Sequence, residues 1–237
     1  MTTLYVSDDH SAMLHLWRRS NVRDLRLLRF DAHCDLRGLV IDRARKLGAA
    51  RFDPRLLEGH VDGGNFLSHA VLEGRVRSIR WAFGPYGGRD RDLGSVAFCS
   101  DLGQRWMRPL RSPWVPLEFA CCIEAETLAP IFEGEDLDLD FDFFASRLAP
   151  HDSIEPAIEE FFRLEWSVQP GSVFLARSPM YCHAVGGRVE RFIARLRERF
   201  SATVVELPAP PRAKRPGRIE RMGYQVDRGL RKITVGP

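Results

Sequence analysis

Hydrophobic positions change their spacing repeatedly along the chain, and each change marks a new short element. Residues 4–6 and 25–30 are compact apolar runs of strand length, whereas 11–19 sets Met13, Leu14, Leu16 and Trp17 on one face of a helix. The helical spacing returns at 64–72, at 154–166 through Ile154, Ile158 and Phe161, and at 189–200 through Val189, Phe192, Ile193 and Leu196. Strand-like runs fall at 79–83, 119–123, 137–143, 172–176 and 203–207, with a short helix predicted at 127–132. This alternation predicts an α/β domain, a three-layer sandwich with a mostly parallel sheet flanked by helices. No repeat or boundary interrupts residues 1–207, so one domain is expected there. Within it, Gly, Pro and Arg rise and periodicity fades over 85–116, a loop-rich insertion; from 208 to 237 a basic Pro/Arg-rich segment breaks all regularity.

Composition narrows the class without naming an activity. The 237 residues are 44% hydrophobic and 28% charged, enough to bury a core without disulfide staples. No apolar run reaches the roughly 18 residues of a membrane span. The first ten residues lack both the basic start and the apolar stretch of a signal peptide, so a cytoplasmic protein with no membrane partner is expected. Cys34, Cys99, Cys121, Cys122 and Cys182 show no Cys-x-x-Cys spacing, which fits free thiols and gives no zinc knuckle. The net charge of +3 is supplied almost wholly by arginine, the lysines being Lys46, Lys214 and Lys232. The basic residues after Arg212 read as a solvated surface, and nucleic acid is not the expected partner.

The acids change the picture. Ligands of open parallel sheets bind outside the carboxyl ends of the strands, and that is where this chain concentrates carboxylates and imidazoles. Asp31, His33 and Asp35 follow the apolar run 25–30 at alternate positions, so an extended segment turns them to one side. Residues 136–144 alternate acid and hydrophobe, Asp136, Asp138, Asp140 and Asp142 against Leu137, Leu139, Phe141 and Phe143. Aspartate is depleted in strands, and like charges on one face repel; a bound cation would account for them. A third strand end carries Asp8, Asp9 and His10.

This constellation resembles the arginase and deacetylase superfamily, the ureohydrolase fold. The segments that carry the likeness are Ser7-Asp8-Asp9-His10-Ser11, Asp31-Ala32-His33-Cys34-Asp35 and Asp140-Phe141-Asp142. A narrower likeness, through Trp17, Gly64-Asn65-Phe66-Leu67, Trp81 and residues 138–144, is to a compact branch that includes peptide arginases. Those enzymes convert arginine to ornithine within ribosomally made precursor peptides.

The resemblance implies two metals held by His10, Asp31, His33, Asp35, Asp140 and Asp142, with Asp138 and Asp140 as an alternative late pair. An oxygen-rich set of this kind suits Mn²⁺. It further implies that Asp35 contacts the nucleophilic water and that His69 shuttles a proton to the leaving amine. Asp138, Asn65 and Arg37 are the expected substrate contacts. Arg37 stands where free-arginine enzymes hold the α-amino acid end, and Ala176 stands where they carry a guanidinium-pairing glutamate, so an arginine-containing peptide is the expected substrate. Asp138 or Asp9 would then pair with the guanidinium. A deacetylase-like amide hydrolase and a catalytically inactive binding protein of the same fold are the alternatives.

Overall fold

A strand covered on both faces needs consecutive apolar residues, and the central runs of this chain have that content. Residues 1–42, 49–52, 60–84, 110–111, 118–122, 131–182 and 187–210 are described in the structure, a computed structural model. In chain order the elements are β1 (Thr3–Ser7), α1 (Ala12–Arg19), β2 (Leu25–Phe30), β3 (Leu39–Asp42), β4 (Ala49–Phe52), α2 (Phe66–Leu72), β5 (Val76–Ala82), β6 (Leu110–Arg111) and β7 (Glu118–Cys122). They continue with β8 (Asp136–Asp140), a single-turn α3 (Asp142–Ala145), α4 (Ile154–Arg163), β9 (Ser172–Ala176), α5 (Arg188–Arg199) and β10 (Thr203–Glu206). The main sheet has the order β10-β1-β9-β8-β2-β5-β7-β6. Its neighbours are parallel except for β6, which runs antiparallel to β7. A separate antiparallel pair joins β3 to β4.

The pleat divides each strand between two cores. From one face of β2, β5 and β9, Leu27, Ile79, Trp81 and Phe174 pack with Met13, Leu14 and Trp17 of α1 and Phe66, Leu67 and Ala70 of α2. From the other face, Leu28, Phe30, Leu137, Leu139 and Leu175 meet Ile154, Ile158 and Phe161 of α4 and Phe192 and Leu196 of α5. The expected sandwich, a largely parallel sheet with helices on both sides, is the architecture found. Among the described residues no helix is long and apolar enough to cross a membrane.

Two departures from the periodicity have local causes. The strand expected to run to 143 ends at Asp140, because Phe141 adopts helical dihedrals and starts α3, carrying Asp142 onto a helical turn. The β3–β4 pair left no sequence signal, being short and broken by polar residues. Most of the insertion 85–116, residues 127–130 of the expected short helix, and the tail from 211 onward lie outside the described residues.

The topology makes a crevice at the carboxyl ends of the central strands. From β1 the chain passes over two positions to β2, moves outward through β5 and β7, and returns to insert β8 and β9 between β1 and β2. Adjacent strands whose connections leave in opposite directions open a gap at that edge, the place where α/β sheets bind ligands. The four strands β1, β9, β8 and β2 all end there.

Candidate metal centre

Each wall of the crevice turns its acid inward by a local device. After β1, Asp9 Oδ1 accepts hydrogen bonds from the Ser11 amide at 2.8 Å and its hydroxyl at 2.7 Å, a turn that starts α1. The intervening His10 is thereby folded under α2, where the Phe66 ring stacks on it at 4.8 Å. After β2, Asp31 Oδ1 accepts from the His33 amide at 2.6 Å. Asp35 is held in the left-handed region at φ 50°, a conformation aspartate tolerates better than most residues. At the end of β8, the Asp142 amide donates to Asp140 Oδ1 at 3.0 Å, and Asp142 Oδ1 accepts from the Ala32 amide at 3.2 Å. That last bond ties the ends of β8 and β2 together.

These devices assemble two clusters that share one residue. The first is His10, Asp31 and Asp140; the second is Asp31, His33 and Asp142; in each, the ligand-capable atoms lie within 4.8 Å of one another. His10 Nδ1 is 3.2 Å from Asp31 Oδ2, 3.2 Å from Asp140 Oδ2 and 3.6 Å from Asp35 Oδ2. Ligands about 2.0–2.2 Å from an ion stand roughly 3.0–3.6 Å from each other, so these spacings suit a ligand set as well as hydrogen bonds. His33 Nδ1 is 2.7 Å from Asp142 Oδ2 and 3.9 Å from Asp31 Oδ1. Asp31 therefore offers one oxygen to each cluster. Asp140 and Asp142, not Asp138 and Asp140, are the late pair in these clusters.

The charge in the crevice is unbalanced. Burial pushes Asp31 up to about 7 although Arg29 opposes it, and burial with the charge of Asp31 pushes Asp35 up to about 7. Burial and Asp140 raise Asp142 to about 6. Burial disfavours the charged ring of His33, but the hydrogen bond and charge of Asp142 outweigh it and raise the imidazole to about 10. Asp31, Asp35 and Asp142, driven towards neutrality while His33 is driven towards the cation, are groups in want of positive charge. Burial would raise Asp140 too, but His10, the Asp142 amide and Ser178 hold it below its usual value. The donor set fits divalent ions in number as well. Asp138 is neutralised by Arg29, which leaves Asp31, Asp35, Asp140 and Asp142 as four carboxylates against two dications.

Several residues singled out from the sequence have other surroundings. Asp138 is fully buried, and its Oδ1 meets His10 Nε2 at 2.8 Å while Oδ2 pairs with Arg29. The carboxylate expected to hold a substrate guanidinium is thus engaged by the chain's own. His69, on α2, spends Nε2 on the His60 carbonyl at 3.1 Å. Burial first, and then Arg18, lower its pKa against the opposing His60 bond, and its charged neighbours are Arg18, Glu73 and Asp62, not the acids of the two clusters. Asn65 also serves the loop: its Nδ2 donates to the His60 carbonyl at 2.7 Å, and its Oδ1 accepts from the Asp62 amide at 2.8 Å. Arg37 pairs with Asp62, joining the loop after Asp35 to the loop before α2.

Three residues emerge from the structure alone. Arg29 reads as one more position in the β2 run, yet its guanidinium is fully buried against Asp31, Asp35 and Asp138. Ser178, beyond β9 at φ 46°, donates to Asp140 Oδ2 at 2.5 Å. Tyr181 stands 5.3 Å from the His33 ring, and both are partly exposed, His33 by 34% and Tyr181 by 55%, which marks the open side of the centre. No family model matches the chain, and no curated protein does.

Proposed function

We propose that the chain is a manganese-dependent binuclear hydrolase that cleaves the guanidinium of arginine side chains in a peptide, leaving ornithine and releasing urea. The observation that carries this reading is the pair of His/Asp clusters joined through Asp31. His10, Asp31, Asp35 and Asp140 would hold one ion, and His33 and Asp142, with Asp31, the other. When bound, two divalent cations would activate a water and stabilise the charge that develops as it attacks.

The chain's residues supply the remainder. Asp35, whose Oδ2 lies 3.6 Å from His10 Nδ1 in the His10 half of the centre, is placed to accept a hydrogen bond from the attacking water. His69 is committed to the His60 carbonyl, so the departing amine needs another donor. Burial first, and then the charges of Asp35, Asp62, Asp9 and Asp140, keep the Tyr181 phenol protonated at the open side, where it can donate. Ala176 offers no carboxylate, and Asp138 is occupied. Asp9, exposed and an electrostatic neighbour of Tyr181, would meet the guanidinium. With Asp138 engaged by Arg29 and Ala176 carrying no acid, one second reading is an amide hydrolase built on the same centre.

The test is incubation of Mn²⁺-loaded protein with arginine-containing peptides and with free arginine. Mass spectrometry should find a loss of about 42 Da from the peptide, the guanidine-to-amine change. Peptidyl arginine should be preferred by about a hundredfold in kcat/KM, since a site without an α-amino acid clamp draws little binding energy from the free amino acid. Asp140→Asn should abolish the conversion. A peptide set that never loses this mass while acylated lysines are cleaved would sink the guanidine reading in favour of the amide one.

A further inference from the structure

The two halves of the centre differ in one respect: one of them already contains a cation. Arg29 lies two residues before Asp31 on β2, so both side chains leave the same face of the strand. Its terminal nitrogens pair with Asp31 Oδ2, Asp35 Oδ2 and Asp138 Oδ2, and one of them is 3.4 Å from His10 Nε2. Its Nε has no partner among the described residues, so the buried group is satisfied almost entirely by acids. Asp31 Oδ2 and Asp35 Oδ2 are also the oxygens that face His10 Nδ1. The other half is touched less: Asp142 meets the His33 ring at 2.7 Å and the Ala32 amide, and the guanidinium reaches that side only through the shared Asp31 and, at 3.5 Å, the His33 carbonyl.

We propose that Arg29 is a positioning residue that makes the two cation sites unequal, so that the His33 side loads first and the His10 side second. The proposal rests on the binuclear reading above. A fixed positive charge against two ligand oxygens repels an incoming dication, and burial leaves that repulsion unscreened by salt. The same charge keeps Asp31 and Asp35 in place when no ion is bound. Asp138 prevents the guanidinium from being stranded, because the two residues are register partners across β2 and β8. When an ion takes Asp31 and Asp35, Arg29 keeps its bond to Asp138. Asp138 also accepts from His10 Nε2, which leaves Nδ1 as the lone pair that faces the ion.

Calorimetric titration of Mn²⁺ into the chelator-stripped full chain tests this without reference to turnover. The expected result is two steps whose affinities differ by about tenfold or more, with His33→Ala removing the tighter one. The double variant Arg29→Met/Asp138→Asn removes both buried charges together and so leaves neither unpaired. It should tighten the weaker step by about tenfold and leave the tighter step unchanged. Its metal-free form should melt lower than the wild type and gain more from Mn²⁺. Arg29→Lys keeps the charge but loses the fork across two carboxylates, and should shift the weaker step in the same direction by less. Wild-type constants in both variants, or loss of the weaker step in His33→Ala, would overturn the role of Arg29 alone. Wild-type protein that takes up no Mn²⁺ would overturn the metal centre with it.

Discussion

Ser178 shows how much a single residue can carry without a motif to announce it. Its left-handed φ of 46° is an unfavourable backbone for a serine, and that backbone places Oγ 2.5 Å from Asp140 Oδ2. Two effects can be separated by substitution. Ser178→Ala loses the hydrogen bond and keeps the backbone cost, whereas Ser178→Gly loses the bond and relieves the cost. Both should weaken Mn²⁺ binding by about tenfold, as removal of a group that orients a ligand does. The glycine variant should nevertheless melt higher than the alanine variant. Equal metal affinity in wild type and both variants, measured by competition with a chelator, would leave Ser178 without this role. At this scale the local patterns Asp-x-His-x-Asp and Asp-x-Asp at strand ends pointed to residues that the structure gathers, His10, Asp31, His33, Asp140 and Asp142, with Asp35 beside them. Ser178 and Arg29 were not. An arginine inside an apolar run reads as a half-exposed strand position, and its partner Asp138 is 109 residues away.

Elements were legible where one periodicity persisted, and less so where a polar side chain sets the boundary. The helix at 64–72 was visible through its apolar face, but what anchors its carboxyl end was not. Glu73 caps α2 and accepts from Arg18 Nε at 3.1 Å and Arg75 Nε at 2.6 Å, while Arg75 reaches back to the Trp17 carbonyl at 2.8 Å. The cluster binds the ends of α1 and α2 to the start of β5. Burial alone would raise the Glu73 carboxyl, but hydrogen bonds from Arg18 and Arg75 hold it below its usual value. A depressed carboxyl stabilises the fold above its unfolded pKa and loses that contribution as pH falls through the folded value. Glu73→Gln should therefore cost about 1 kcal/mol at neutral pH, the modest worth of partly exposed pairs. The difference from wild type should shrink as the pH is lowered into the acid range. Thermal melts across that range check it; a difference that does not change with pH would assign the cost to packing.

For the molecule as a whole, the metal-free chain is a fold with its charges out of balance, and its stability should report this. Asp31, Asp35 and Asp142 are raised above their unfolded values to about 7, 7 and 6. A raised carboxyl gives its full contribution below the unfolded pKa, and the contribution is lost as pH rises through the folded one. His33, raised to about 10, works in the same direction, stabilising below its unfolded pKa and ceasing to do so as pH rises through 10. The chelator-stripped chain should thus keep its far-ultraviolet spectrum but melt progressively lower from about pH 5 to pH 9. Saturating Mn²⁺ should reverse the trend, since a cation competes with those protons and binds better as they leave. A metal-free melting temperature that rises over this interval would contradict the charge accounting. The broad architecture was legible because strand and helix alternate; the strand order was not, since apolar runs do not say which neighbour each will choose.

The pairing of Arg29 with Asp138 also constrains how that order is reached. β8 joins β2 late in the chain, and a slip of one residue would set Arg29 opposite Leu137 or Leu139 instead of Asp138. Hydrophobic strands tolerate such slips poorly when their faces differ, and a slipped β8 would also take Asp138 from the guanidinium and leave it to Asp31 and Asp35 alone. The buried pair thus adds to the cost of a wrong register, beyond what the leucines alone impose. A chain in which β8 has docked out of register forfeits the Arg29–Asp138 pair together with its packing, so the native register is favoured by charge as well as by shape.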